Sequence, residues 1–231
     1  MGRERVGRRR AVTAPAGAGR IGILGGTFDP PHLAHLAIAE EAREALGLSR
    51  VLFVPAGRPW QKADRAVSAG SIRLAMVERA IAGNPFFVAD AREVNRPGPT
   101  YTAETVAELA AETGSEPGSE PWLILSVEAL AGFATWRDPE RILAQARLCV
   151  VPRDGAPAAT LPEFRARYPV AADRMAVLDH PRLAISSTAI RARVRAGRSI
   201  RYLVPDAVAA LIAECALYDA DPAPVPAPPD A

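Results

Sequence analysis

Six short apolar runs recur along the chain, at 21–24, 51–54, 86–89, 122–125, 147–151 and 175–178, with helical patterns between most of them. Strands that alternate with helices return in the same direction, so the pattern predicts an α/β fold with a mainly parallel sheet flanked by helices. In an open sheet of this kind ligands bind beyond the carboxyl ends of the strands, where the strand order reverses. Functional residues are therefore expected in the segments that follow strands. A chain of 231 residues that is 49% hydrophobic is long enough for one well-buried core, so a single domain is expected over 20–218.

The segment after the first run is "GGTFDPPHLAH", which leads into the helical pattern "LAIAEEAREALGL". It reads as a strand-to-helix turn: Pro30 and Pro31 suit a helix start, and the helix is expected to begin near His32. His32 and His35 then share a helical face beside the free N–H groups of the first turn. A helix start with free donors and two imidazoles, reached through a Gly-Gly turn that admits close backbone approach, is suited to phosphate. Metal binding by the paired histidines is a rival reading. It finds only Asp29 as a nearby third ligand, because Cys149 and Cys215 are remote and show no ligand spacing.

A second helix start of the same character follows the last run. In "ISSTAIRARVRAG", Ser186, Ser187 and Thr188 are candidate caps, and Gly197 closes the helix. Thr188 and Arg191 share a face, where a hydroxyl, backbone N–H groups and a guanidinium can grip a phosphate chain.

Other classes are excluded on stated grounds. Gly17, Gly19 and Gly22 match the spacing of a dinucleotide-binding fingerprint, but they precede the first strand instead of following it, which argues against a dehydrogenase. No P-loop pattern is present, and no 18-residue apolar run predicts a membrane span. Residues 1–20 carry six arginines against one glutamate, so the positive charge sits in the tail and the body is slightly acidic. Nucleic acid is therefore not an expected partner. Residues 1–19 are expected to be a disordered basic tail, and 219–231 a disordered Pro/Ala-rich one. The two widely spaced cysteines suit a reducing, cytoplasmic setting.

Taken together, "GGTFDPPHLAH" and "ISSTAIR" resemble the motifs of the nucleotidyltransferase superfamily, and within it those of the bacterial nicotinate-nucleotide adenylyltransferases. "VPAGRPWQK", "RPGPTYTAET", "FATW" and "RYLVPDAV" fall in the family's order. The resemblance implies a doubly wound, Rossmann-like domain that transfers the adenylyl group of ATP to nicotinate mononucleotide, with Mg²⁺ accompanying ATP. It implies catalytic roles for His32, His35 and Arg191. It also implies phosphate and ATP contacts at Gly25, Gly26, Thr27, Phe28, Lys62, Ser187 and Thr188, and nicotinate contacts at Tyr101, Thr102 and Trp136. Two departures stand out: Ala34 replaces a glycine between the histidines, and Ser126, Val127, Glu128 replace the family's G-x-D, which contacts the ATP ribose. Ser126 and Glu128 are therefore expected at a modified ribose site. His180, with no motif around it, is expected to be structural. An adenylyltransferase for nicotinamide mononucleotide or phosphopantetheine, or a weakened nucleotide-binding regulator, are the alternatives, and a homo-oligomer is compatible with all three.

Overall fold

The six apolar runs form six strands: β1 (Ile21–Gly26), β2 (Arg50–Pro55), β3 (Phe87–Ala89), β4 (Trp122–Ser126), β5 (Arg147–Val151) and β6 (Met175–Val177). They pair in the order β3-β2-β1-β4-β5-β6, and every pairing is parallel. This computed structural model describes residues 19–57, 67–114, 118–152, 160–178 and 183–219. The expected tails lie outside these residues apart from Gly19 and Asp219, as do Lys62 and His180.

The strands are apolar at nearly every position because both faces are buried, and their side chains divide between the faces with a period of two. Val51, Phe53, Ile124, Cys149 and Val151 face one core, and Leu52, Val54, Leu123, Leu125 and Val150 face the other. The first core is closed by α1 (Leu33–Leu46), α2 (Gly70–Ile81), α8 (Ser187–Arg195) and α9 (Asp206–Glu214). The second is closed by α4 (Thr102–Thr113), α5 (Val127–Ala131), α6 (Pro139–Gln145) and α7 (Thr160–Arg167). A one-turn helix, α3 (Arg92–Asn95), follows β3.

Gly22, the last glycine of the misleading fingerprint, has a packing role inside β1. A Cβ there would lie 2.8 Å from the Leu48 side chain, so its absence lets the end of α1 settle on the strand. The chain runs outward from β1 to β2 and β3 on one side, then returns to place β4 on the other side of β1. That reversal opens a crevice above the carboxyl ends of β1 and β4.

Candidate active site

β1 ends at Gly26, and the chain reaches α1 through a tight turn in which the Asp29–Pro30 peptide is cis. Phe28 is in the left-handed region at φ 50° and is 2% exposed. This conformation, unusual for an aromatic residue, folds the ring under Gly26 and against Phe53 and His35. Phe28, predicted as a phosphate contact, does not line the cavity described below; its buried side chain fixes the turn.

His32 caps α1, and its backbone N–H donates to His35 Nδ1 at 3.2 Å. This contact is one half of a capping box, with an imidazole in place of the usual carboxylate or amide. The two rings stack with centroids 3.7 Å apart and 19° between their planes. Because Nδ1 of His35 accepts, its neutral ring carries the proton on Nε2, which makes that nitrogen a donor.

Around this turn the chain is tied down by contacts distant in sequence. The buried Asp29 accepts from the Tyr218 hydroxyl at 2.6 Å through Oδ1 and from the Ser68 N–H at 3.2 Å through Oδ2. Burial, with Asp29 adding to it, pushes the Tyr218 hydroxyl well above its ordinary pKa, so it stays protonated and donates. Arg191 Nη1 donates to the Asp29 carbonyl at 2.7 Å and Nη2 to Thr188 Oγ1 at 3.2 Å, while the Ser187 hydroxyl donates to the Pro30 carbonyl at 2.9 Å. The start of α8, capped by Ser186, is thereby docked on the turn that starts α1.

Arg73 is 1% exposed, and its guanidinium donates to the carbonyls of Thr27, Gly57 and Ser68 at 2.9, 3.0 and 2.9 Å. Burial lowers its pKa while Asp29, Tyr218 and Glu93 oppose that shift. Gly57 has no room for a side chain: a Cβ would fall 2.0 Å from the Glu93 carbonyl oxygen.

A cavity of about 420 Å³ opens in the crevice. Gly25, Gly26, Thr27, His32, Ala34 and His35 line it from the turn and α1, and Ser126 and Val151 from the ends of β4 and β5. Tyr101, Thr102, Trp136 and Arg137 form another wall, with Glu93, Thr100 and Thr105 beside them. Glu93 Oε1 accepts from Thr105 Oγ1 at 2.7 Å; burial raises its carboxyl pKa, and the hydrogen bond from Thr105 works against that rise.

The structure thus gathers most of the sequence-predicted residues around one cavity. Tyr101 caps α4 and Thr102 is its first residue, as the helical pattern of "TAETVAELAAE" suggests. Trp136 is half-buried and packs on Phe133, with ring centroids 5.2 Å apart. Ala34, which replaces a glycine of the family motif, lines the cavity.

Other residues are placed differently. Ser187, Thr188 and Arg191 are not part of the wall; they brace the turn beside it. Ser126 is at the wall, but its hydroxyl accepts from the Ala129 N–H at 3.2 Å and so caps α5. Glu128 does not line the cavity and is exposed in the first turn of α5. A carboxylate two residues beyond the strand end rotates away with the helix that begins at Val127. Among the described residues, no group of three or more His, Cys, Asp or Glu side chains is placed to hold a metal ion. Cys149 and Cys215 are free thiols.

Sequence reasoning missed Arg73, Glu93, Arg137 and the bracing role of Tyr218. For Arg73 a signal existed, since it lies at helical spacing with Met76, Val77 and Ala80 on the buried face of α2.

A doubly wound parallel sheet with a Gly-Gly turn, two stacked imidazoles and a helix start at its switch point is a site built for nucleotide phosphates. The chain belongs to the cytidylyltransferase-like family, whose model matches residues 23–193. Among curated proteins, it is 48% identical over 198 residues to a probable nicotinate-nucleotide adenylyltransferase of Roseiflexus sp. (strain RS-1), covering 86% of this chain and 97% of that one. To the protein of the same description from Dehalococcoides mccartyi (strain ATCC BAA-2266 / KCTC 15142 / 195) it is 38% identical over 199 residues, covering 86% and 97%. Among solved structures, it resembles Plasmodium falciparum nicotinic acid mononucleotide adenylyltransferase complexed with NaAD, with a TM-score of 0.67 at 18% identity, covering 87% and 97%. At that identity the likeness supports the fold.

Proposed function

We propose that the chain transfers the adenylyl group of ATP to nicotinate mononucleotide, giving deamido-NAD and pyrophosphate. The observation that carries this reading is a single cavity that joins the two imidazoles and the Gly-Gly turn to the Tyr101–Trp136 wall. One side suits phosphates, and the other offers an aromatic wall for a pyridine ring.

The attacking phosphate of the acceptor is already ionised, so the reaction needs alignment and charge neutralisation more than a base. His35 Nε2–H, its tautomer set by the bond at Nδ1, donates to the α-phosphate as negative charge builds in line with the leaving pyrophosphate. His32 orients the phosphate chain, and the backbone of Gly25, Gly26, Thr27 and Phe28 lets that chain approach closely. Ser187, Thr188 and Arg191 hold the β and γ phosphates. Arg191 already touches the Asp29 carbonyl, so its guanidinium either turns or shares donors when ATP arrives. Lys62 is a further phosphate contact, and Ser126 borders the adenosine. The pyridine ring stacks on Trp136, with Tyr101 and Thr102 at its carboxylate. The chain's described residues offer no carboxylate cluster for a metal, so Mg²⁺ would be held by the phosphates of ATP and would supply charge neutralisation there.

Incubation with ATP, Mg²⁺ and nicotinate mononucleotide should release pyrophosphate and form deamido-NAD. No turnover with this acceptor, alongside turnover with phosphopantetheine, would replace the proposal with another member of the same reaction class.

A further inference from the structure

Of the residues that line the cavity, Arg137 is the one lysine or arginine among the described residues. Its guanidinium carbon lies 4.5 Å from the centre of the Tyr101 ring, and it follows Trp136 directly in the chain. Among the described residues its one ion pair is with the neighbouring Asp138, at 4.0 Å, and more than half of the side chain is exposed. Asp138 itself is in the left-handed region at φ 51°, which fixes the backbone where α6 begins and leaves the guanidinium as the adaptable part. A cation resting on an aromatic face at a cavity wall can leave that face when an anion arrives, because the two contacts are comparable in strength.

We propose that Arg137 recognises the carboxylate of the nicotinate ring and sets the preference for the acid over the amide. This rests on the function proposed above. The acceptor carries two anionic groups, its phosphate and its ring carboxylate, and both could attract a guanidinium. The phosphate must reach the imidazoles to react, whereas Arg137 stands with Trp136, assigned to the ring, and Tyr101, assigned to its carboxylate. The planar fork of arginine matches a carboxylate in two parallel hydrogen bonds, and a carboxamide, which is neutral and presents donors of its own, cannot replace it. The one acidic group at the described wall, Glu93, is engaged by Thr105 and has its pKa raised by burial, so it does not compete for Arg137.

The test compares the full chain with Arg137→Ala and Arg137→Lys, using ATP and either nicotinate or nicotinamide mononucleotide, with binding of each nucleotide measured by calorimetry. For Arg137→Ala the ratio of kcat/KM for the acid to that for the amide should fall by about 10-fold or more, through KM for the acid. Arg137→Lys should retain an intermediate ratio, since it keeps the charge and loses the fork. Equal losses for the two nucleotides would assign Arg137 to the shared phosphate and overturn the proposal. So would an unaltered ratio in an active enzyme, which would leave the proposed function standing. A wild-type protein that neither binds nor turns over nicotinate mononucleotide would overturn both.

Discussion

The Tyr218 hydroxyl donates to Asp29 Oδ1 at 2.6 Å, joining the segment after the last helix to the turn that starts the first. Tyr218→Phe would remove one donor from a buried carboxylate, at a cost of about 1–3 kcal/mol in stability. Denaturant unfolding should show that loss, and kcat should fall with it because Asp29 positions the turn that leads to His32 and His35. A variant with unchanged stability and kcat would show that the bond braces nothing.

His35→Ala should lower kcat by roughly 10² or more while circular dichroism stays native, because the lost donor acts on charge that develops in the transition state. Single-turnover kinetics separates this step from product release. A kcat equal to wild type would remove His35 from the chemistry.

Arg191→Ala should raise KM for ATP by about 10-fold and weaken pyrophosphate inhibition to a similar degree. If both constants hold and only stability drops, Arg191 serves the Asp29 carbonyl alone.

The placement of Ser126 and Glu128 separates two changes that the sequence motif couples. Ser126 stands at the cavity wall and Glu128 does not. Ser126→Gly should therefore lower KM for ATP severalfold, with a loss of cap stability of only a few tenths of a kcal/mol. Glu128→Asp should leave that constant where it is. Steady-state measurements on the two single variants decide the matter, and an effect confined to Glu128→Asp would contradict the geometry.

Burial raises the Glu93 carboxyl above its ordinary value of 4.5. The folded protein then holds this proton more tightly than the unfolded chain does. Its stabilising contribution is full below the unfolded pKa and is lost as pH rises through the folded one. Relative to Glu93→Gln, the wild type should lose stability as pH climbs from about 4.5 toward neutrality. Denaturation at stepped pH measures the difference, and a flat profile would mean that the hydrogen bond from Thr105 cancels the effect of burial.

All six strands and the starts of α1 and α8 were legible in the sequence, because each rests on local chemistry. Apolar runs of strand length, two glycines before two prolines, and hydroxyls before an arginine-bearing helix report their own conformations. What was not legible depends on partners far away in the chain. Nothing near Asp29 announces Tyr218, and nothing near Glu93 announces Thr105. The left-handed Phe28 was hidden too, since only the packed rings of Phe53 and His35 explain it. Glu128 was misplaced for a related reason. The family motif marks Glu128 for the ribose site, whereas α5 begins at Val127 and leaves the carboxylate exposed.

The carbonyls that Arg73 holds belong to three separate segments: Thr27 after β1, Gly57 after β2 and Ser68 before α2. Local opening of α2 therefore exposes a guanidinium and abandons three acceptors at once, with the turn that starts α1 among them. The turn and the helix are expected to open as one cooperative unit, with their slowest-exchanging amide protons sharing a single opening free energy. A substrate that tightens the turn would slow hydrogen exchange in α2 as well, which makes that helix a remote reporter of occupancy.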